Sequence, residues 1–171
     1  MEAWGIRRVR SALRAARKKD RSFGSGAILG SMCTAPHAIA AEAHGLFLET
    51  NLGDPDHFPG AAGLEKELLE DFRLLLHGPK KAQARFLTGG TEANLMAMYV
   101  AREKTGKTEV VLPEQAHFSF EKAARVLGMT LKWVPSHGGR SHPGEMAKAI
   151  TKQTALVVAV AGSTELGLVD D

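Results

Sequence analysis

The sequence predicts an α/β fold, and three observations support this. Four short segments are apolar and rich in β-branched or bulky residues, as strands are: residues 84–87, 109–112, 131–134 and 156–161. Three stretches between them have helical periodicity: residues 91–104, 118–127 and 144–151. The two kinds of segment alternate every ~20–25 residues, which is the spacing of β-α-β units in a parallel sheet. Right-handed crossovers would place helices on both faces of that sheet.

Residues 1–22 are predicted to form an amphipathic helix with a basic face. Residues 1–21 hold eight of the 22 Lys and Arg and two of the 19 acids, so the rest of the chain carries 14 bases and 17 acids. Apolar residues recur at helical spacing, at Trp4, Ile6, Val9, Leu13 and Ala16. Charge patterning favours docking on the protein through this stripe, and contact with a membrane surface or acidic partner and a transit peptide are alternatives. Nucleic-acid binding is not predicted, because the body of the chain is not basic.

Residues 23–80 are predicted to be helices and loops. Three glycines mark a loop at Gly24, Gly26 and Gly30, and Pro36 favours the start of a helix that reaches about Glu49. The next stretch, Asn51-Leu-Gly-Asp-Pro-Asp56, breaks regular structure. A second helix follows from Gly63 and ends before Gly78-Pro79, and its apolar stripe is Leu64, Leu68, Phe72, Leu75 and Leu76.

Length and composition narrow the class of protein. The 171 residues correspond to one domain or part of a larger one, with 44% hydrophobic and 24% charged residues. The longest apolar run, residues 155–162, is far shorter than the ~20 residues of a membrane-spanning helix. The lone Cys33 favours a reducing compartment, so a cytoplasmic protein is predicted. No metal site is predicted, because the histidines do not recur with carboxylates at ligand spacing.

The sharpest chemical motif is the stretch Phe86-Leu-Thr-Gly-Gly-Thr-Glu-Ala-Asn94. The predicted strand 84–87 ends here, Gly89 and Gly90 follow, and a helix opens at about Thr91. The glycines allow a close approach to a ligand, and the free N–H groups and positive dipole end of a helix start suit a phosphate dianion. A tight strand-to-helix turn capped by Thr91 is the alternative.

Two further loops are predicted at the same edge of the sheet. His117 follows the strand 109–112, and its flat imidazole could stack on an aromatic ligand, although an ordinary histidine in a first helical turn is equally compatible. After the last strand, the stretch Ala161-Gly-Ser-Thr-Glu-Leu-Gly167 contributes the hydroxyls of Ser163 and Thr164. Phosphate donors, a flat ring and a hydroxyl on three loops together indicate a flat phosphorylated cofactor.

On these motifs the chain resembles the group II pyridoxal-phosphate-dependent decarboxylases, particularly the archaeal tyrosine/aspartate decarboxylase branch. Six stretches in the family's order carry the resemblance: Gly30-Ser-Met-Cys-Thr34 with Pro36-His37, Thr50-Asn-Leu-Gly-Asp-Pro55, Phe58-Pro-Gly60 with Leu64-Glu65, Gly89-Gly-Thr-Glu-Ala-Asn-Leu-Met96, Ala116-His-Phe-Ser-Phe120, and Ala161-Gly-Ser-Thr-Glu-Leu-Gly167 with Val169-Asp-Asp171. Thr88 stands where relatives commonly have serine.

The resemblance implies a fold and a set of site residues. The fold would be the first part of a fold-type-I enzyme, with an aspartate-aminotransferase-like large domain beginning near residue 81 after amino-terminal helices. Gly89, Gly90 and Thr91 would bind the phosphate of pyridoxal 5′-phosphate. His117 would stack on the pyridine ring, and Thr164 would lie near the ring's 3′-oxygen or the substrate carboxylate; these two are the catalytic candidates. Further residues would lie on the substrate side: His37, Asn51 and Phe58.

The resemblance also implies a reaction, decarboxylation of L-aspartate or L-tyrosine by a carboxy-lyase, and a homodimer to which the Phe58 loop and the first helices contribute. The family's Schiff-base lysine and pyridinium-pairing aspartate come later than Asp171, so we expect an amino-terminal portion that is inactive alone. The alternatives are a non-catalytic cofactor-binding or dimerising remnant, and another fold-type-I lyase or transferase, since fold alone does not determine the reaction.

Overall fold

The computed structural model describes residues 4–31 and 33–171. Residues 1–3 of the predicted basic helix and Met32 of the Ser-Met-Cys-Thr stretch lie outside the described residues. The chain divides into two units, of which the first ends at Gln83 and the second runs from Ala84 to Asp171.

The first unit contains three helices and one short 3-10 turn. Helix α1 spans Ile6–Arg17, the 3-10 turn Phe23–Ser25, α2 Ala38–Leu46 and α3 Pro59–Leu75. None of the described residues of these helices is buried, and the apolar stripe of α1 is exposed at Ile6, Val9 and Leu13. These helices therefore bury little of their apolar surface within this unit.

All three helices of this unit have different bounds from the prediction. Helix α1 is Ile6–Arg17 within the predicted 1–22, since residues 18–22 are not helical. Helix α2 begins at Ala38, two residues after Pro36, because the His37 ring Nδ1 accepts the Ile39 N–H at 3.3 Å and caps the helix. Helix α3 begins at Pro59 rather than Gly63, because proline fits the first turn, where its missing N–H is not needed. Its end is closed by Arg73, whose guanidinium donates to the Gly78 carbonyl at 2.6 Å.

The second unit alternates helices and strands. In chain order these are α4 Gly90–Thr105, β1 Glu109–Pro113, α5 Ser119–Leu127, β2 Thr130–Val134, α6 Pro143–Ala149 and β3 Thr154–Val157. Helices α4 and α5 end at Gly106 and Gly128, both with φ of 65°, the left-handed conformation that glycine adopts without strain. The predicted alternation over this part of the chain is confirmed.

The three strands form a parallel sheet in the order β2-β1-β3. Strand β1 pairs along its whole length with β2, from Glu109 opposite Thr130 to Pro113 opposite Val134. The chain moves from β1 to one neighbour and then crosses back to the other side of β1. Helix α5 connects β1 to β2 and helix α6 connects β2 to β3, so the two helices lie on opposite faces of the sheet.

Side chains of β1 divide the core between the two faces. Val110 and Leu112 pack with Met98 of α4 and with the buried side of α5, including Phe120. Val111 points to the other face and packs with Val134 and Met146 of α6. This alternation follows from the two-residue period of a strand, and it makes β1 the buried centre of the unit.

Two strand predictions are corrected. Residues 84–87 are not a strand, because β1 pairs with β2 and β3 and neither edge of the described sheet pairs with this segment. The last strand is Thr154–Val157 and not 156–161, because beyond Val157 the chain keeps one bond to β1, from the Val158 N–H to the Val111 carbonyl at 2.9 Å, and then turns. Within the described ranges, no helix combines the length and apolar character that crossing a membrane requires.

Candidate functional site

A cavity of about 350 Å³ lies at the carboxyl edge of the sheet in the second unit. Its wall contains the loop that follows β1, the Trp133 side chain of β2 and residues that follow β3. The lining residues include His117 and Thr164, so the structure brings these two predicted residues to one cavity. Thr91 is not among the lining residues.

The position of the cavity follows from the order of the strands. The strand order turns back at β1, because the chain passes from β1 to β2 on one side and then to β3 on the other side of β1. The loops after β1 and β3 therefore start from adjacent strands. In open α/β sheets, ligands bind in the crevice at the point where the strand order reverses. His117 follows β1 and Thr164 follows β3, so both lie at this point.

The start of α4 is the predicted phosphate loop. The Gly89 and Gly90 Cα atoms face open space, since an added Cβ would meet nothing within 4 Å. The Glu92 carboxylate turns back and accepts from the Thr88 N–H at 2.7 Å and from the Thr88 hydroxyl at 2.6 Å. The hydrogen bond from the Thr88 side chain, followed by the one from its backbone, lowers the pKa of Glu92. This clamp fixes the turn and leaves the exposed Thr91 hydroxyl without a partner in the described part of the chain.

Helices α4 and α5 are joined near their first turns. The Asn94 Nδ2 donates to the hydroxyl of fully buried Ser119 at 2.8 Å. Because Asn94 lies one turn after Thr91 and Ser119 lies two residues after His117, this hydrogen bond sets the helix start beside the loop after β1.

The His117 ring is held in a defined orientation. Its Nδ1 accepts the Ser119 N–H at 3.2 Å, so in the neutral ring Nε2 carries the proton. The Phe118 ring lies against it, with 4.1 Å between centroids and 35° between planes. The imidazole is half-buried. The Phe118 ring in turn has the Lys122 Nζ over its face, 4.7 Å from the ring centroid.

Thr164 is displayed on a short closed loop. The Ser163 N–H donates to the Leu168 carbonyl at 2.9 Å, and the Gly167 N–H donates to the Ser163 carbonyl at 2.8 Å. The Ser163 side chain is buried and its hydroxyl accepts the Leu168 N–H at 3.3 Å. Thr164 itself is exposed. The Ser163 hydroxyl therefore stabilises the loop, and the Thr164 hydroxyl is accessible to a ligand.

One carboxylate lies beneath these loops. Asp170 Oδ1 accepts from Gln115 Nε2 at 2.6 Å and from the Ser141 N–H at 2.8 Å, and Oδ2 accepts from the Val160 N–H at 2.8 Å. Burial raises the pKa of Asp170, but the donors from Ser141, Val160 and Gln115 outweigh it and the pKa is lowered. The Gln115 Oε1 is buried without a hydrogen-bond partner among the described residues.

The charged side chains that line the cavity favour one kind of ligand group over another. Its ionised lining side chains are the carboxylates of Glu114, Glu121 and Glu165, and no lysine or arginine lines it in the described ranges. Such a lining disfavours a phosphate dianion and favours a cationic amine.

The three predicted substrate-side residues belong to the first unit. His37 caps α2, and the Asn51 Oδ1 accepts the Gly53 N–H at 3.0 Å and lines a cavity of about 400 Å³ with Phe47 and Leu64. Phe58 is half-buried at the residue before α3. Their proposed roles remain predictions.

Sequence reasoning missed several residues of the site: Glu92, Gln115, Trp133 and Asp170. Glu92, Gln115 and Asp170 stand within or beside the quoted motifs. A Glu at the third helical position is a known capping signal that could have identified Glu92. The partners of Asp170 are 10 to 55 residues away in the chain, and no local pattern marks them. Over the described ranges, no group of three His, Cys, Asp or Glu residues is arranged to hold a metal ion.

Residues 62–171 match the family model described as aminotransferase class-V. The chain belongs to this family. This class-V chain is 46% identical over 158 residues to the probable L-tyrosine/L-aspartate decarboxylase of Methanosphaerula palustris, covering 91% of the chain and 43% of that relative. It is 42% identical over 157 residues to the L-aspartate/L-glutamate decarboxylase of Pyrococcus horikoshii, covering 90% and 41%.

A solved structure has the same fold. The sphingosine-1-phosphate lyase of Burkholderia pseudomallei superposes with a TM-score of 0.87 and 27% identity, covering 99% of this class-V chain and 43% of that one. The structural neighbours are fold-type-I enzymes, so the predicted fold class and family resemblance are confirmed. The chain spans about two fifths of the length of these relatives.

Proposed function

We propose that this chain forms part of a pyridoxal-phosphate-dependent decarboxylase that acts on L-aspartate or L-tyrosine. The observation that carries the proposal is that His117 and Thr164 share one cavity at the strand-order reversal, in a chain 46% identical to a probable L-tyrosine/L-aspartate decarboxylase. The family depends on pyridoxal 5′-phosphate, and three features of the chain fit that cofactor: a helix start for the phosphate, a flat ring and a hydroxyl.

The phosphate is assigned to the start of α4. Gly89 and Gly90 have no Cβ, so an anion can approach the backbone N–H groups of the first helical turn. The positive end of a 16-residue helix adds a favourable field. The Thr91 hydroxyl donates a further hydrogen bond, since Glu92 engages Thr88 and leaves Thr91 available.

The ring and the substrate are assigned to His117 and Thr164. The hydrogen bond from the Ser119 N–H keeps the His117 imidazole in one orientation, which suits stacking on a pyridine ring. The Thr164 hydroxyl orients an oxygen of the cofactor or the substrate carboxylate. The carboxylates of Glu114, Glu121 and Glu165, which line the cavity, favour binding of the substrate's ammonium group there. Bound pyridoxal phosphate supplies the electron sink for the loss of CO₂, while the protein supplies binding and orientation.

Taken alone, the chain is proposed to bind the cofactor without covalent attachment. No lysine lines the cavity in the described ranges, and Lys132 and Lys148 pair with Glu109 and Glu145. Borohydride reduction in the presence of pyridoxal phosphate, followed by mass spectrometry, should leave every lysine unmodified. Fixation on one specific lysine would contradict this part of the proposal.

The homodimer and a cytoplasmic location belong to the same proposal. The three helices of the first unit bury none of their described residues, and α3 exposes Leu64, Leu68 and Leu75. A second copy of the chain would cover such apolar surface, as in obligate interfaces. Light scattering after size exclusion should give twice the chain mass, and a monomer at all concentrations would argue against the dimer.

Binding is tested with the tryptophan of the cavity. The chain has two tryptophans, so a Trp4→Phe variant leaves Trp133 as the only reporter. Pyridoxal phosphate should quench its fluorescence saturably, and pyridoxal, which lacks the phosphate, should bind far more weakly. Thr91→Val should weaken binding about tenfold or more, the loss expected for one hydrogen bond to a charged group.

The matched control is Thr108→Val, which alters an exposed threonine just before β1. It should bind like the parent variant. Absence of saturable quenching, or equal binding by the Thr91 and Thr108 variants, would argue against the assigned phosphate site. For a protein that joins this chain to the remaining part of the enzyme, release of labelled CO₂ from L-aspartate, L-tyrosine and L-glutamate would identify the substrate.

A further inference from the structure

A single carboxylate ties together the loops that follow all three strands. Gln115 lies two residues after β1, Ser141 in the loop after β2, and Val160 three residues after β3. Asp170 accepts one hydrogen bond from each, at 2.6, 2.8 and 2.8 Å. Elsewhere in the unit, ladder hydrogen bonds join the strands. The described ladders end with the bonds from the Glu114 N–H to the Val134 carbonyl and from the Val158 N–H to the Val111 carbonyl, and so stop short of Gln115, Ser141 and Val160.

Asp170 also closes the loop that displays Thr164. Its backbone N–H donates to the Val160 carbonyl at 2.9 Å, and Ala161 pairs with Val169 in an antiparallel bridge. The side chain and the backbone of Asp170 therefore both hold Val160. On its other side, the carboxylate holds Gln115, which lies two residues before His117. A continuous hydrogen-bonded path from Gln115, beside the His117 loop, to Val160, at the base of the Thr164 loop, therefore passes through this carboxylate.

From this arrangement we propose that Asp170 is a positioning residue that sets His117 and Thr164 at the spacing the bound ligand needs. The inference rests on the proposed function for the identity of that ligand. Asp170 does not line the cavity, so it acts through Gln115 and Val160 and not by contact with a ligand. Three of its donors are neutral amide N–H groups, and the Ser141 side chain is a further hydrogen-bond partner. A carboxylate, with two acceptor oxygens, can accept from all of them at once.

The next residue provides a matched control. Asp171 is exposed, and its carboxylate pairs with Arg140 at 3.7 Å and with His142 at 3.3 Å. Both residues carry one carboxylate at adjacent positions, but only Asp170 holds the loops after β1 and β3. Asp171→Asn thus removes the same charge as Asp170→Asn without breaking these contacts.

The first experiment measures loop position without any ligand. In NMR spectra of the full chain, Asp170→Asn should shift both the His117 ring proton resonances and the Thr164 methyl resonance, and Asp171→Asn should shift neither. An asparagine amide replaces one acceptor oxygen with a donor, so one of the three N–H groups faces a second donor. Unchanged His117 and Thr164 resonances in Asp170→Asn would overturn the proposal.

A second variant decides the matter if Asp170→Asn does not fold. Gln115→Met keeps the length of the side chain and removes only its hydrogen bond to Asp170. The His117 resonances should then shift while the Thr164 methyl resonance stays in place, because the Ser141 and Val160 contacts remain. A His117 ring that does not respond would overturn the proposal.

The last experiment separates positioning from loss of stability. Arg102→Met breaks a hydrogen bond from the guanidinium to the Leu127 carbonyl, at the end of α5 opposite to the cavity. At equal folded fractions, Asp170→Asn should bind pyridoxal phosphate about tenfold more weakly than the parent chain, while Arg102→Met binds equally well. Equal affinity in both variants would overturn the proposal. If the parent chain does not bind pyridoxal phosphate, the proposed function fails, and the NMR comparison still decides the role of Asp170.

Discussion

Gly139 allows the loop after β2 to touch the loop after β3, and its replacement by alanine should be costly. The residue has φ of 81°, a left-handed conformation. A Cβ there would lie 2.5 Å from Leu166 Cδ1 and 3.0 Å from Leu168 Cδ1. Gly139→Ala therefore combines a backbone penalty with a steric one, next to the loop that carries Thr164.

The neighbouring glycine isolates the backbone penalty. Gly138 has φ of 61°, and a Cβ there would meet nothing within 4 Å. A left-handed non-glycine residue costs about 1–2 kcal/mol, which we expect for Gly138→Ala. Gly139→Ala should cost about 0.5–1.5 kcal/mol more, since Leu166 must leave its rotamer to relieve the contact. The steric part stays modest because the Leu166 side chain is 63% exposed and can move outward.

Urea unfolding followed by circular dichroism measures both variants against the parent chain. The free energy of unfolding should fall in the order parent, Gly138→Ala, Gly139→Ala, with an unchanged dependence on urea concentration. The Thr164 methyl resonance should also shift in Gly139→Ala alone. Equal destabilisation by the two substitutions would refute the reasoning, because it would mean that the approach to Leu166 and Leu168 carries no cost.

Three further predictions concern the core, the Asp170 carboxylate and the loop before α4. Met98→Ala should lower the free energy of unfolding by about 2–4 kcal/mol because the side chain is fully buried, whereas Met96→Ala, at 37% exposure on the same helix, should change it by less than about 0.5 kcal/mol in urea titrations. The lowered pKa of Asp170 means that its contribution to stability is present above the carboxyl pKa of about 3.9 in the unfolded chain and is lost as the pH falls through the folded value. Urea titrations from neutral to acid pH should therefore show a weaker acid-side decline in Asp170→Asn than in the parent, and identical declines would contradict this. Glu92→Gln should speed hydrogen exchange of the Thr88 amide without changing the exchange of β1, because a neutral amide accepts more weakly than the carboxylate; protection of Thr88 equal to that of the parent would contradict the clamp.

The elements that were predicted well are those with strong local signals. Helix α4 begins at the second glycine of the Gly89-Gly90 pair, and α4 and α5 are closed by the left-handed glycines Gly106 and Gly128. Strand β1 is a run of buried apolar residues between polar ones, which is how a strand covered on both faces is recognised. In these cases the signal lies inside the element itself, so the sequence suffices.

The elements that were predicted poorly depend on pairing or on distant contacts. Residues 84–87 have strand-like composition, yet a strand exists only when another chain segment bonds to it, and composition does not supply the partner. Strand β3 ends at Val157 although the apolar run continues, and the Val160 N–H beyond it donates to Asp170 and not to a neighbouring strand. Asp170 stands in the quoted Val169-Asp-Asp171 stretch, but its role is not marked there, since its donors lie in three different loops.

The topology explains why residues so far apart in sequence can share one cavity. From β1 the chain moves to β2 on one side and returns past β1 to β3 on the other, so His117 and Thr164 leave neighbouring strands although 46 residues separate them in the printed numbering. Strand order alone brings their loops to the same crevice, but it does not set the distance between them, because the ladders stop before either residue. Something beyond the ladders must set that distance, and a carboxylate that accepts from all three loops is suited to do so. The topology supplies the crevice, and the half-buried Asp170 carboxylate supplies the spacing, so these are separate contributions. Substitution of Asp170 should change the spacing and leave the crevice intact.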